Sequence, residues 1–205
     1  TELGIEIVVH PPVGGRYAVL SVVGLLPAAI AGVDVTALLA GARAMAEECG
    51  QDDMLENPAF LNGAAQYLHA EHGRSICVFM PYADRLRPLG LWYRQLWAES
   101  LGKIRPSTSE NVGPTPIKAL GATDQHSQVQ LFMEGPRNKT VTFITVRGRE
   151  REGPIPARHG DIPELSYLKG HCLGELLDIE RRATAGALAA RGRFNATIAL
   201  DTVDA

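Results

Sequence analysis

Apolar and polar residues alternate in blocks along the chain, and block length separates strands from helices. Ile5-Glu6-Ile7-Val8-Val9 is short and β-branched, which predicts a strand stopped by Pro11-Pro12. Gly14-Gly15 then open a turn into a long apolar run over residues 17–33, read as a buried helix. Asp34 or Thr36 caps a second helix reaching about Glu48, and residues 51–58 make a polar connection. A third helix covers residues 59–72 and ends at Gly73. Ile76-Cys77-Val78-Phe79-Met80 is a continuous apolar run ended by Pro81, the pattern of a central strand buried on both faces.

A helix follows that strand, because Leu86, Leu89, Tyr93 and Leu96 recur at helical spacing. Asp84 is placed to cap its start. Pro88 is tolerated in a first turn, whose N–H groups lack partners inside the helix. Residues 104–116 are rich in Pro, Ser, Thr and Gly and read as a long loop, of a length that suits function. Asp124 or Thr123 caps a helix over residues 125–134 and puts His126 in its first turn. Thr140-Val141-Thr142-Phe143-Ile144-Thr145-Val146 reads as a strand. Residues 147–162 are charged and broken by Pro154 and Pro156, with Pro163 just beyond, and read as a mobile excursion. A long helix over residues 173–190 and a strand over residues 196–200 close the chain.

Strands separated by helices imply parallel pairing through right-handed crossovers. The expected fold is α/β: a doubly wound, mainly parallel sheet with helices on both faces, forming one domain over residues 1–205. Ligands of such sheets sit beyond the carboxyl ends of the strands.

Composition narrows the function classes. A net charge of -3 leaves no basic surface for nucleic acid or an anionic membrane. Cys49, Cys77 and Cys172 are odd in number and lack metal-ligand spacing, which favours buried thiols in a reducing cytoplasm over disulfides. The run over residues 17–33 contains Pro27 and lacks the flanks of a signal peptide, so it is not read as a membrane span.

The candidate chemistry centres on Glu99. It falls in the last turn of its helix, at the border of the apolar stripe, with Gln95 one turn earlier on the same face. Partial desolvation and the negative helix end would both raise its proton affinity, which suits a general base. On position alone it reads equally as a solvated surface carboxylate. The Gly14-Gly15 pair lets backbone N–H groups approach a ligand, and Arg16 adds a fixed positive charge. Without further information Arg16 also reads as a salt-bridge partner, and His126 as a helix-start residue bonded to a loop.

Three stretches change that balance. They are Val13-Gly14-Gly15-Arg16-Tyr17-Ala18-Val19-Leu20-Ser21, Gln95-Leu96-Trp97-Ala98-Glu99-Ser100-Leu101-Gly102-Lys103, and Gly121-Ala122-Thr123-Asp124-Gln125-His126-Ser127-Gln128. In this order they resemble segments of the glucose-6-phosphate isomerase (phosphoglucose isomerase) family in its bacterial form. Weaker likeness runs over residues 13–200.

The resemblance implies one of the family's sugar-isomerase (SIS) domains and an aldose–ketose isomerisation of glucose 6-phosphate and fructose 6-phosphate in glycolysis and gluconeogenesis. It assigns Glu99 as the proton-shuttling base, Arg16 to the developing negative charge, His126 to ring opening and Gln95 to the sugar. It implies a homodimer, because the family's His serves the neighbouring subunit. It calls for no metal or organic cofactor, nucleic acid or membrane.

This sequence also departs from the family. Members are considerably longer. The SIS domain whose Ser/Thr-rich loops hold the phosphate has no counterpart here, nor has the C-terminal Asp-Gln-Pro-Gly-Val-Glu motif with its Lys. Ala18 stands where the family usually has Ser. A cut-down piece of a larger enzyme is expected, in keeping with a start at Thr1 without methionine. The other function class is a non-catalytic SIS module that binds a sugar phosphate. Retention of Glu99, His126 and Arg16 together favours the isomerase.

Overall fold

The structure, a computed structural model, describes residues 12–148 and 162–203, together with 4, 153–156 and 158. The strand expected over residues 5–9 and much of the excursion expected over residues 147–162 lie outside them. The chain divides into two compact units, Thr1–Ala64 with Ala205, and Ala65–Asp204.

The first unit is helical. The apolar run is not one helix: a 3-10 turn, Gly15–Leu20, precedes α1, Val22–Ile30. Ser21 separates them with an extended backbone, and its hydroxyl caps α1 by accepting from the Val23 N–H at 3.3 Å. The helix is also not buried: Leu26 is 57% and Ile30 80% exposed. Apolar composition alone could not show this, because burial depends on what packs against a face, and no residue of α1 is buried among the described residues. Asp34 caps α2, Val35–Glu48, its Oδ1 accepting from Thr36 and Ala37 N–H at 3.0 Å each. Helix α3, Pro58–Glu71, follows Asn57, and its part from Ala65 onward, Gln66 included, belongs to the second unit. Asn57 is buried and fully used: its amide donates to the Cys49 and Gln51 carbonyls, and its Oδ1 accepts from Phe60 N–H.

The second unit holds the sheet. Strands β1 (Ile76–Pro81), β4 (Thr115–Lys118), β5 (Lys139–Val146) and β6 (Phe194–Leu200) pair in parallel in the order β4-β1-β5-β6. Helix α4 is Arg87–Leu101, α5 Thr123–Glu134 and α6 Leu173–Ala190. A parallel strand needs a crossover, and right-handed crossovers put α4 on one face and α5 and α6 on the other. The packing agrees. Val78, Met80, Tyr82, Val141 and Phe143 join Phe132 of α5 and Leu188 of α6, whereas Phe79, Ile144 and Val146 meet Leu86, Leu89 and Tyr93. Alternate residues of β1 and β5 thus feed opposite layers, which is why β1 reads as an unbroken apolar run and why the threonines of β5, Thr140, Thr142 and Thr145, are buried with its apolar residues. On the α4 face, buried Thr140 donates to Gln66 of α3 at 2.9 Å, and burial raises the pKa of the neighbouring Cys77 thiol.

Several local expectations change. Asp84 does not cap α4; it lies in a 3-10 turn, Asp84–Leu86, and Leu86 takes the cap position with no side-chain bond. Residues 104–116 are not all loop. They include most of a short hairpin, β2 (Lys103–Ile104) with β3 (Asn111–Val112), and the start of β4. Pro116 hid β4, yet Pro is compatible with an edge strand, which β4 is. Neither Thr123 nor Asp124 caps α5; both lie inside its first turn. Cys77 is buried as expected, but Cys49 and Cys172 are only half-buried.

Tyr82 is fully buried, and its hydroxyl, though close to Thr184 and Gln125, makes no well-aligned hydrogen bond among the described residues. Thr184, beside it, accepts from Gln125 instead. Removing an orphan polar group relieves its desolvation penalty. Tyr82→Phe is therefore expected to leave stability unchanged or raise it by about 1–3 kcal/mol in denaturant unfolding. A loss of stability would mean the hydroxyl is bonded after all.

Candidate functional site

Glu99 and Gln95 meet on the exposed side of α4. The Gln95 amide donates to Glu99 Oε1 at 3.4 Å, one turn apart. Both side chains are exposed, so the partial desolvation expected for Glu99 is absent from this structure. The helix end beneath them is firmly held. Phe79 stacks on Tyr93 at 4.4 Å, Tyr93 lies 5.2 Å from Trp97, and the Trp97 indole donates to the Pro114 carbonyl at 3.1 Å. Gly113 packs against Leu101 and Gly102 with a φ of +135°. A Cβ there would lie 2.8 Å from the Leu101 carbonyl oxygen, so only glycine suits both the backbone and the space.

His126 sits in the first turn of α5 and is exposed. Asp124 braces that turn: its Oδ2 accepts from Leu120 N–H at 2.8 Å and its Oδ1 from the Ser127 hydroxyl at 2.9 Å. Burial works against the Asp124 carboxylate, but these donors, Gln128 and Lys118 outweigh it and hold its pKa below the ordinary value.

Glu99 and His126 do not stand together at the carboxyl ends of the strands. A crossover helix starts at the carboxyl edge and runs back, so only its first turn stays there. His126 occupies such a first turn, after β4. Glu99 occupies a last turn, beside Pro114 at the amino edge, where β4 begins. The two residues lie on helices of opposite faces. They are separated along the sheet by about 20 Å, the length of a six-residue strand such as β1. No single hexose phosphate reaches both.

Arg16 belongs to the first unit. It lies in the 3-10 turn that follows Gly14, half-buried, with its guanidinium 4.9 Å from the centre of the Tyr17 ring. Gly14 and Gly15 are exposed, and the space where a Gly15 Cβ would stand is open.

One feature of the carboxyl edge was not legible in sequence. A cleft of about 690 Å³ opens between β5, β6 and α6, lined by Thr145, Asp178, Arg181 and Thr197. Its lining charges are paired: Asp178 with Arg181 and Arg182, Arg147 with Asp201, and Glu175 with His171. No group of three or more His, Cys, Asp or Glu side chains suited to a metal ion occurs among the described residues.

A family model described as phosphoglucose isomerase matches residues 6–163. A glucose-6-phosphate isomerase of Rubrobacter xylanophilus is 50% identical over 198 residues, which cover 96% of this chain and 44% of that protein. One from Carboxydothermus hydrogenoformans is 46% identical, over 99% of this chain and 44% of its own length. The chain thus spans less than half of the relatives it matches. Among solved structures, a hypothetical protein from Thermus thermophilus superposes with a TM-score of 0.86 at 40% identity, covering 94% of this chain and 45% of that one. A glucose-6-phosphate isomerase from Chlamydia trachomatis gives 0.72 at 19% identity, covering 94% of this chain and 39% of that one, a likeness of fold.

Proposed function

The chain belongs to the phosphoglucose isomerase family, and we propose that it is the part of a glucose-6-phosphate isomerase that carries the proton-shuttling base. Residues 1–205 are then one SIS-type segment of a longer cytoplasmic enzyme. The observation that carries this reading is that Arg16, Gln95, Glu99 and His126 all fall inside the span matched by the family.

Glu99 takes the proton from C2 of the open-chain aldose and returns it to C1. The electron pair left on carbon forms an enediolate, whose oxygens the Arg16 guanidinium stabilises. A proton passes from O2 to O1 in the same conversion, so the chemistry consumes no oxidant, reductant or metal. Gln95 bonds the sugar and steadies Glu99. The Gly14 and Gly15 backbone lets the ligand approach, and His126 acts as the acid–base group of ring opening.

The distance between Glu99 and His126 supports a site shared by two copies, with each His serving its partner. The exposed apolar side chains of the first unit, Val23, Leu26, Ile30 and Phe60 among them, support a surface that is covered in the complete assembly.

The 205-residue chain alone is expected to fold but not to turn over. Binding the remote phosphate offsets the cost of positioning the sugar, and such positioning is worth about 7–11 kcal/mol of barrier. The Ser/Thr-rich phosphate loops expected of the family are absent from these residues. A coupled assay of fructose 6-phosphate conversion, with circular dichroism as the folding control, tests this. Turnover of about 1–10³ s⁻¹ would show that the chain is sufficient by itself.

A further inference from the structure

We propose that Gly121, Tyr82 and Gln125 are positioning residues that set His126 for ring opening, an inference that rests on the role given to His126 above. His126 is exposed, so its place is set by the backbone that carries it. That backbone is fixed from three sides.

Gly121 donates its N–H to the Pro81 carbonyl at 2.9 Å, prolonging the β1–β4 pairing past the strand. This lays its Cα over the Tyr82 ring, where a Cβ would fall 2.4–2.5 Å from three ring atoms. The ring has no room to yield. Tyr82 is fully buried, its N–H is bonded to the Ile144 carbonyl, and Phe143 meets it edge-on at 5.8 Å. On the far side of the turn, Gln125 donates to the Glu180 carbonyl at 3.3 Å and to the Thr184 hydroxyl, tying the first turn of α5 to α6. Between the two, Leu120 and Asp124 are joined both ways, through the Asp124 N–H and the Asp124 carboxylate. A methyl group at position 121 must therefore lift the start of α5 off β1, and His126 with it.

The test uses the full-length isomerase and two substrates. One is glucose 6-phosphate, whose ring must open. The other is a four-carbon aldose phosphate, which cannot close a ring through its phosphorylated oxygen; its C2 proton exchange into deuterated water needs Glu99 but no ring opening. Gly121→Ala is expected to lower kcat on the cyclic substrate about 100-fold, the cost of about 1 Å of misplacement. KM and proton exchange on the short substrate should stay within about twofold, since ground-state binding and the base are untouched. Gln125→Ala, which crowds nothing, should show the same selective loss at about tenfold. Adding Tyr82→Leu to Gly121→Ala should recover at least part of kcat, because it removes the colliding ring atoms. Parent kcat in both single variants, or equal loss on both substrates, overturns the positioning role. If His126→Ala itself shows no selective loss on the cyclic substrate, the role of His126 is what fails.

Discussion

Glu99→Gln in the full-length isomerase is expected to lower kcat by about 10²–10⁴-fold with KM nearly unchanged. The amide has the shape of the carboxylate, and its oxygen can still accept from the Gln95 amide, so the exposed end of α4 keeps its geometry. What disappears is the atom that receives the C2 proton in the proposed mechanism. Stacking of Tyr93 on Phe79 and the Trp97–Pro114 bond hold the helix end regardless of residue 99, so the thermal midpoint should barely move. Glu99→Asp keeps the base but withdraws it by one methylene and should fall between the two. A coupled assay of fructose 6-phosphate conversion reads all three proteins. Isomerisation at the parent rate in Glu99→Gln would remove Glu99 from the chemistry.

Mixing two inactive variants is expected to restore activity. Glu99 and His126 lie on helices of opposite faces of one sheet, so under the proposed mechanism a working site takes Glu99 from one copy and His126 from another. Full-length Glu99→Gln and His126→Ala homodimers should each be nearly inert. Co-refolded at equal amounts, half of the dimers are hybrids, and each hybrid has one site with both residues intact. Activity should then reach about a quarter of the parent level, as expected for random pairing in a two-fold dimer. If each site drew both residues from one chain, the mixture would stay as low as its components.

β1 was legible because burial on both faces gave it apolar residues throughout, and β5 because its Thr, Val, Ile and Phe residues favour extended backbone. α6 was legible because Leu173–Ala190 is dominated by Leu, Ala, Glu and Arg, which outweigh Gly174 and Gly186. β4 was missed because it is four residues long and contains Pro116. The caps were read unevenly. Asp34 behaves as its local spacing predicts, whereas Asp84 and Asp124 were drawn elsewhere: a 3-10 turn takes the first, and the Leu120 N–H the second.

The sequence by itself determined the α/β class, the family and the set of candidate residues, since each depends on composition, period or ordered motifs. Tertiary structure alone decided where those residues stand. Glu99 and His126 each follow a strand in the chain, yet a crossover helix reverses direction, so one ends at the amino edge and the other begins at the carboxyl edge. Handedness then places their helices on opposite faces. Exposure was likewise undecided by hydropathy. The same apolar residues that fill the core at Phe143 stand open at Ile30, because burial depends on what packs against a face and not on the face alone.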